Sequence, residues 1–137
     1  MDSHFELSDE LFEAQFQNCT LNPALFNHEA HLRLAWIHVT KCGVEGAIEN
    51  ITSQLFSFVV SQGEINKYNK TLTVAAVRAV NHFVDKSGTD NFYDFIQQFP
   101  KLKSNFKELM RTHYKVDIFN AEIAKQNYLE PDLLPFS

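Results

Sequence analysis

Three histidines, His28, His31 and His38, lie close together in Asn27-His-Glu-Ala-His-Leu-Arg-Leu-Ala-Trp-Ile-His-Val-Thr40. A helix advances about 100° per residue. With His28 as origin, His31 then falls at about 300°, Ala35 at about 340° and His38 at about 280°. Glu29, Arg33 and Thr40 gather at about 100–140° and read as the solvent face. The histidines lie opposite them, flanked by Leu32, Leu34 and Val39, so they are expected to point inward. Imidazoles turned toward a core can bind metal, move a proton or line a polar pocket. They can also be core residues with satisfied hydrogen bonds.

His28 and His31 form an H-x-x-H pair, and two histidines from one helix are a common part of zinc and non-haem iron sites. The zinc-protease motif H-E-x-x-H needs one more residue between its histidines. His28-Glu29-Ala30-His31 is one residue short of it, and Glu29 is placed on the far face. A divalent metal on His28 and His31 is therefore the less favoured alternative to a small-ligand pocket. In that pocket His31 would lie deepest, His28 would line the mouth and His38 would be structural.

A second polar group stands at Asn66-Lys-Tyr-Asn-Lys-Thr-Leu-Thr73. Asn69 is a good N-cap, with Thr71 as an alternative. Asn69 and Thr73 sit near the apolar stripe of the helix that follows, and Tyr68 adds a phenol. Free N–H groups at a helix start favour an anion or carboxylate. The competing reading is a capping loop with one buried asparagine. His113 and Tyr114 end a later helix, where either could close the same pocket, although the helix dipole alone favours a histidine there. His4 and His82 read as surface residues.

The elements that must carry these groups are helical. Four glycines and four prolines punctuate 137 residues. Helices are expected from Ser8 to about Asn18, Asn27 to Gly43, Val44 to Gln62, Asn69 to Lys86, Asp90 to Phe99 and Ser104 to Tyr114, with a short one from Asn120. Apolar residues such as Ile48, Ile51, Leu55, Phe58 and Val59 keep helical spacing. The expected fold is all-α: a compact bundle of about five to seven helices, with residues 1–137 as one domain.

Composition narrows the function classes. Twelve Lys and Arg against 17 Asp and Glu give a net charge of -5, without the basic patch that nucleic acid requires. No apolar run approaches the roughly 18 residues needed to cross a membrane. The opening Met1-Asp2-Ser3-His4 lacks the pattern of a signal peptide. Cys19 and Cys42 form no CxxC motif, and Cys42 reads as a small core residue. A cytoplasmic location follows from these signs.

The block Phe26-Asn-His28-Glu-Ala-His31-Leu-Arg-Leu-Ala-Trp36 resembles the F-x-H-x-x-H-L-x-x-A-W signature of a family of small uncharacterised bacterial all-helical proteins. The resemblance extends over most of the chain. The family's Y-H-E-T-[IL]-T block has its counterpart at Tyr68-Asn-Lys-Thr-Leu-Thr73. Its Tyr-Tyr pair and closing P-D match His113-Tyr114 and Pro131-Asp132. The resemblance implies companions for the histidine pair at Tyr68, Asn69 and Thr73. This chain carries Asn69-Lys70 where the family has His-Glu, which weakens the metal reading.

The expected function is a His-lined polar pocket for a small ligand, formed by His28, His31, Tyr68, Asn69, Thr73 and His113. No nucleophile–base pair names a reaction. The alternative is a non-enzymatic interaction domain or homodimer. In that reading some of the thirteen phenylalanines, above all in Phe92-Tyr-Asp-Phe-Ile-Gln-Gln-Phe99, form a partner surface.

Overall fold

The computed structural model describes residues 3–136, so Met1, Asp2 and Ser137, including the first two residues of the charged opening, lie outside it. The fold is all-α, with seven α-helices and no strand among the described residues. They are α1 (Asp9–Gln17), α2 (His28–Ser61), α3 (Lys70–Val84), α4 (Phe92–Gln98), α5 (Lys101–Ser104), α6 (Phe106–His113) and α7 (Glu122–Gln126). No described helix is long and apolar enough to cross a membrane.

Side-chain caps start the helices where the sequence places them. Ser8 accepts from Leu11 N–H at 3.2 Å, Asn27 from Ala30 at 2.8 Å, and Asn69 from Leu72 at 2.9 Å. Each satisfies an N–H that the first helical turn leaves open. Thr71 is not a cap. It is buried and bridges the C-terminal segment, donating to Asn127 O and accepting from Leu129 N–H.

α2 runs through Gly43, which breaks it into two arms. Gly43 has φ 76° and ψ 173°, a conformation essentially restricted to glycine. The expected boundary between two helices is therefore a sharp bend between helical arms. α2 packs against α3, which buries Thr71, Val74, Ala75, Val77, Ala79 and Val80. Small side chains there let the two helices approach closely.

The first arm of α2 departs most from expectation. Residues 32–39 are buried without interruption. Such a helix has no solvent face to set against an inward one. The reason is the N-terminal segment, a 3-10 turn at His4–Glu6 followed by α1, which covers the side assigned to water. Arg33 is only 5% exposed, and its guanidinium donates to His4 O at 2.7 Å, Leu7 O at 2.8 Å and the Asp9 carboxylate at 2.8 Å. Glu29 is half-buried, bonded to His4 Nε2 at 2.9 Å and paired with Lys103 at 2.8 Å. His4, expected at the surface, is 1% exposed.

Two further expectations change. Cys42 is exposed, one residue before the bend. In Phe92–Phe99, Phe92, Phe95 and Ile96 are buried at helical spacing, and among the aromatic residues only Tyr93 is exposed, at 59%, with Phe99 half-buried. That segment is core rather than an aromatic surface. Phe12, Phe16 and Phe95 are fully buried, so much of the phenylalanine content fills the interior.

Two substitutions test this framework by urea denaturation. A Cβ at Gly43 would meet no atom within 4 Å, so only backbone strain opposes Gly43→Ala. A loss of about 2 kcal/mol is expected, and an unchanged midpoint would show that the bend relaxes. Arg33→Met strips two buried carbonyls and a carboxylate of their donor. It should cost about 3 kcal/mol, and a cost under about 1 kcal/mol would contradict the role given to Arg33.

Candidate functional site

The Asn27 cap sets the start of α2 and places His28 at its rim. His28 Nε2 lies 2.9 Å from the backbone oxygen of Leu102. A carbonyl only accepts, so Nε2 carries the hydrogen. The ring also packs on Phe106, with centroids 4.8 Å apart. His28 thereby ties α2 to α5 and α6, and its Nε2 is committed.

One turn on, His31 has no such partner. Part of the residue reaches the surface, yet its Nε2 is shut off from solvent and makes no hydrogen bond. Its ring lies against Phe26, at 5.8 Å between centroids. Burial, reinforced by the neighbouring His28, pushes the imidazole pKa down to about 4. His31 is therefore neutral at pH 7. It offers one hydrogen bond, as donor or acceptor according to its tautomer.

His38 is 4% exposed and also carries an unpartnered Nε2, while its Nδ1 accepts from Asn50 at 3.4 Å. Burial lowers its pKa, Glu13 opposes that shift and Lys41 adds to it. By whole-residue exposure His38 and His4 are more enclosed than His31, whereas the His31 imidazole itself is shut off from solvent at Nε2.

The second constellation is built into the scaffold. Asn69 caps α3 with its oxygen and donates its nitrogen to Ile118 O at 2.7 Å. Thr73 Oγ1 donates to Asn69 O at 2.7 Å. Tyr68 makes a long 3.4 Å bond to Thr52 O, and burial raises its phenol pKa. It lines a separate cleft with Phe56, Ile65, Glu122 and Lys125. His113 Nδ1 donates to Leu134 O at 2.8 Å, and its ring stacks on Phe136 at 4.1 Å. Asn69, Thr73 and His113 thus hold the C-terminal segments or α3 itself, while His28 and His31 face α5, α6 and Phe26.

Among the described residues, no group of three or more His, Cys, Asp or Glu side chains could hold a metal ion. His31 does have a neighbour that opens to solvent. Phe26 forms one wall of a cleft of about 240 Å³, together with Pro23, Phe58, Val59 and Gln62. Glu64 and Lys67 pair at 3.6 Å on its rim.

Sequence reasoning missed the cluster of His4, Glu29, Arg33 and Asp9. Arg33 donates to His4 Nδ1 at 3.3 Å, which leaves the His4 hydrogen on Nε2 facing Glu29. Burial is the main cause that lowers the His4 pKa, against the pull of Glu29. The available signal was the apolar ring of Leu32, Leu34, Ala35, Trp36, Ile37 and Val39, which leaves no broad wet face for Arg33.

A pH dependence follows from the neutral histidines. An unfolded histidine takes up a proton below about 6.5, whereas folded His31 resists until about 4. The stability it contributes is thus complete above pH 6.5 and is lost as the pH falls toward 4. Discounted for the part that reaches solvent, the loss from His31 alone is on the order of 2 kcal/mol. His4 and His38 act with the same sign. Urea midpoints at pH 7, 5.5 and 4.5 should fall in that order, and a flat series would contradict the burial of these rings.

Compared with known proteins, the chain matches no family model, no curated protein and no solved structure.

Proposed function

We propose that this protein binds a small uncharged molecule in the Phe26–Phe58 cleft, with His31 as its polar contact. The observation that carries this reading is the buried, unpartnered Nε2 of His31. Leaving such a group without a hydrogen bond costs about 1–3 kcal/mol. That cost suits a nitrogen whose partner arrives with a ligand.

Phe26 links this nitrogen to the cleft, because its half-buried ring touches His31 and also walls the cavity. The ligand reaches Nε2 by displacing that ring, which also packs on Phe16 and Phe58. A neutral imidazole selects a hydroxyl, an amide or a heteroaromatic ring rather than a charge. Phe26 and Phe58 supply flat apolar surface for the rest of the ligand. The cytoplasmic location, and the kinship suggested by the Phe26–Trp36 block, belong to this same proposal. The reading assigns binding and no reaction.

The test is His31→Phe, which keeps an aromatic ring in place and removes both imidazole nitrogens, including the unbonded Nε2. The variant is expected to fold with an unchanged or higher thermal midpoint. A set of neutral fragments bearing hydroxyl, amide or heteroaromatic groups, followed by ligand-observed NMR, should give hits on the wild type. These should weaken at least about tenfold in the variant. Hits that persist in His31→Phe, or no hits on the wild type, would overturn the proposal. If the wild type instead self-associates in sedimentation, exposed Phe56 and Ile65 favour the interaction reading.

A further inference from the structure

A second cleft, of about 280 Å³, lies where the second arm of α2, α3 and the C-terminal segment meet. Arg78, Asn81 and Glu130 line it on the polar side, and Val44, Pro135 and Phe136 on the apolar side. We propose that this cleft binds a free α-amino acid with an apolar side chain, its carboxylate on Arg78 and its ammonium on Glu130.

The guanidinium is poorly satisfied. Arg78 Nε is shut off from solvent and has no hydrogen-bond partner. Its Nη2 reaches only exposed Glu45, at 3.8 Å. The Tyr128 ring, 5.8 Å from the guanidinium carbon, helps to hold the group in place. Arg78 therefore keeps donors free for a carboxylate, which matches its planar fork.

Glu130 faces the same space and pairs with no cation among the described residues. Pro131 restricts its backbone to extended conformations, so the segment does not recoil into a helix. A plain anion in this cleft meets Glu130, and a plain cation meets Arg78. A ligand that carries both charges satisfies both walls. Asn81, one turn beyond Arg78, adds a group that can donate or accept.

The cleft lies just below the size range of drug-sized pockets, which suits an amino acid. Val44, Pro135 and Phe136 provide a dry wall for its side chain. Position is enforced from two sides. Gly43 sets the direction of Val44, and His113 fixes the tail through Leu134 and Phe136.

Calorimetric titration of the full chain with each of the twenty L-amino acids tests this. Leucine, methionine or phenylalanine should bind with a Kd below about 1 mM, at least tenfold tighter than propionate or propylamine. Arg78→Gln and Glu130→Gln should each weaken that binding at least about tenfold, with the helical circular dichroism retained. Glu130 is exposed, so Glu130→Gln keeps the test decisive if Arg78→Gln does not fold. The proposal is overturned if no amino acid binds below about 10 mM. It is also overturned if propionate binds equally well, or if Glu130→Gln binds as the wild type does.

Discussion

The buried guanidinium of Arg33 is the constraint on which the first half of this fold depends. A charge in the interior is costly unless its hydrogen bonds are met. Arg33 meets them with the carbonyls of His4 and Leu7, the carboxylate of Asp9 and the ring of His4. Each acceptor comes from the N-terminal segment, so satisfying one side chain fixes the 3-10 turn and the start of α1 against α2. The contact continues from His4 to Glu29 and from Glu29 to Lys103 on α5. Three elements distant in sequence are thereby held around the first turns of α2.

That closure decides the chemistry of the histidines. With the N-terminal segment in place, residues 32–39 of α2 are buried all round. His38 loses hydration there and His31 loses it against Phe26, neither gaining a carboxylate at hydrogen-bond distance, and burial lowers both pKa values. His4 has Glu29 beside it and is still lowered, which shows how strongly enclosure acts here. These rings are fitted to neutral hydrogen bonding. The C-terminal half follows a different logic. Asn69, Thr71 and His113 spend their polar atoms on Ile118, Asn127, Leu129 and Leu134. Those bonds bring Glu130 and Phe136 to the side of α3 that carries Arg78.

Much of the helical architecture was legible in the sequence because its signals are local. Ser8, Asn27 and Asn69 cap helices through bonds to residues three positions away, and Gly43 marks the bend by its own backbone. The faces of α2 were less legible, for a physical reason. Angular position separates a wet face from a dry one only when the helix has a wet face. The apolar ring of residues 32–39 hints that Arg33 lacks a wet face, but nothing in that helix says that residues 4–9 are what covers it. Thr71 and Asn69 illustrate the same limit. Their type suits a helix start, but their partners lie about fifty residues away. The placement of Arg78 and Glu130 on one cleft is likewise a product of tertiary structure.

His31 and His38 share one anomaly, a buried Nε2 without a partner, and comparing them shows what an orphaned atom can support. His38 bonds through its other nitrogen to Asn50 and is enclosed near the bend. That partner comes from the second arm of the same helix. His31 lies one ring away from a cleft, and that ring is Phe26, which follows a short 3-10 turn rather than sitting within a helix. The unmet hydrogen bond is equivalent at the two positions, whereas the work of reaching it is not. Accessibility, rather than the unmet bond itself, is what sets His31 apart as the polar contact of the proposed site.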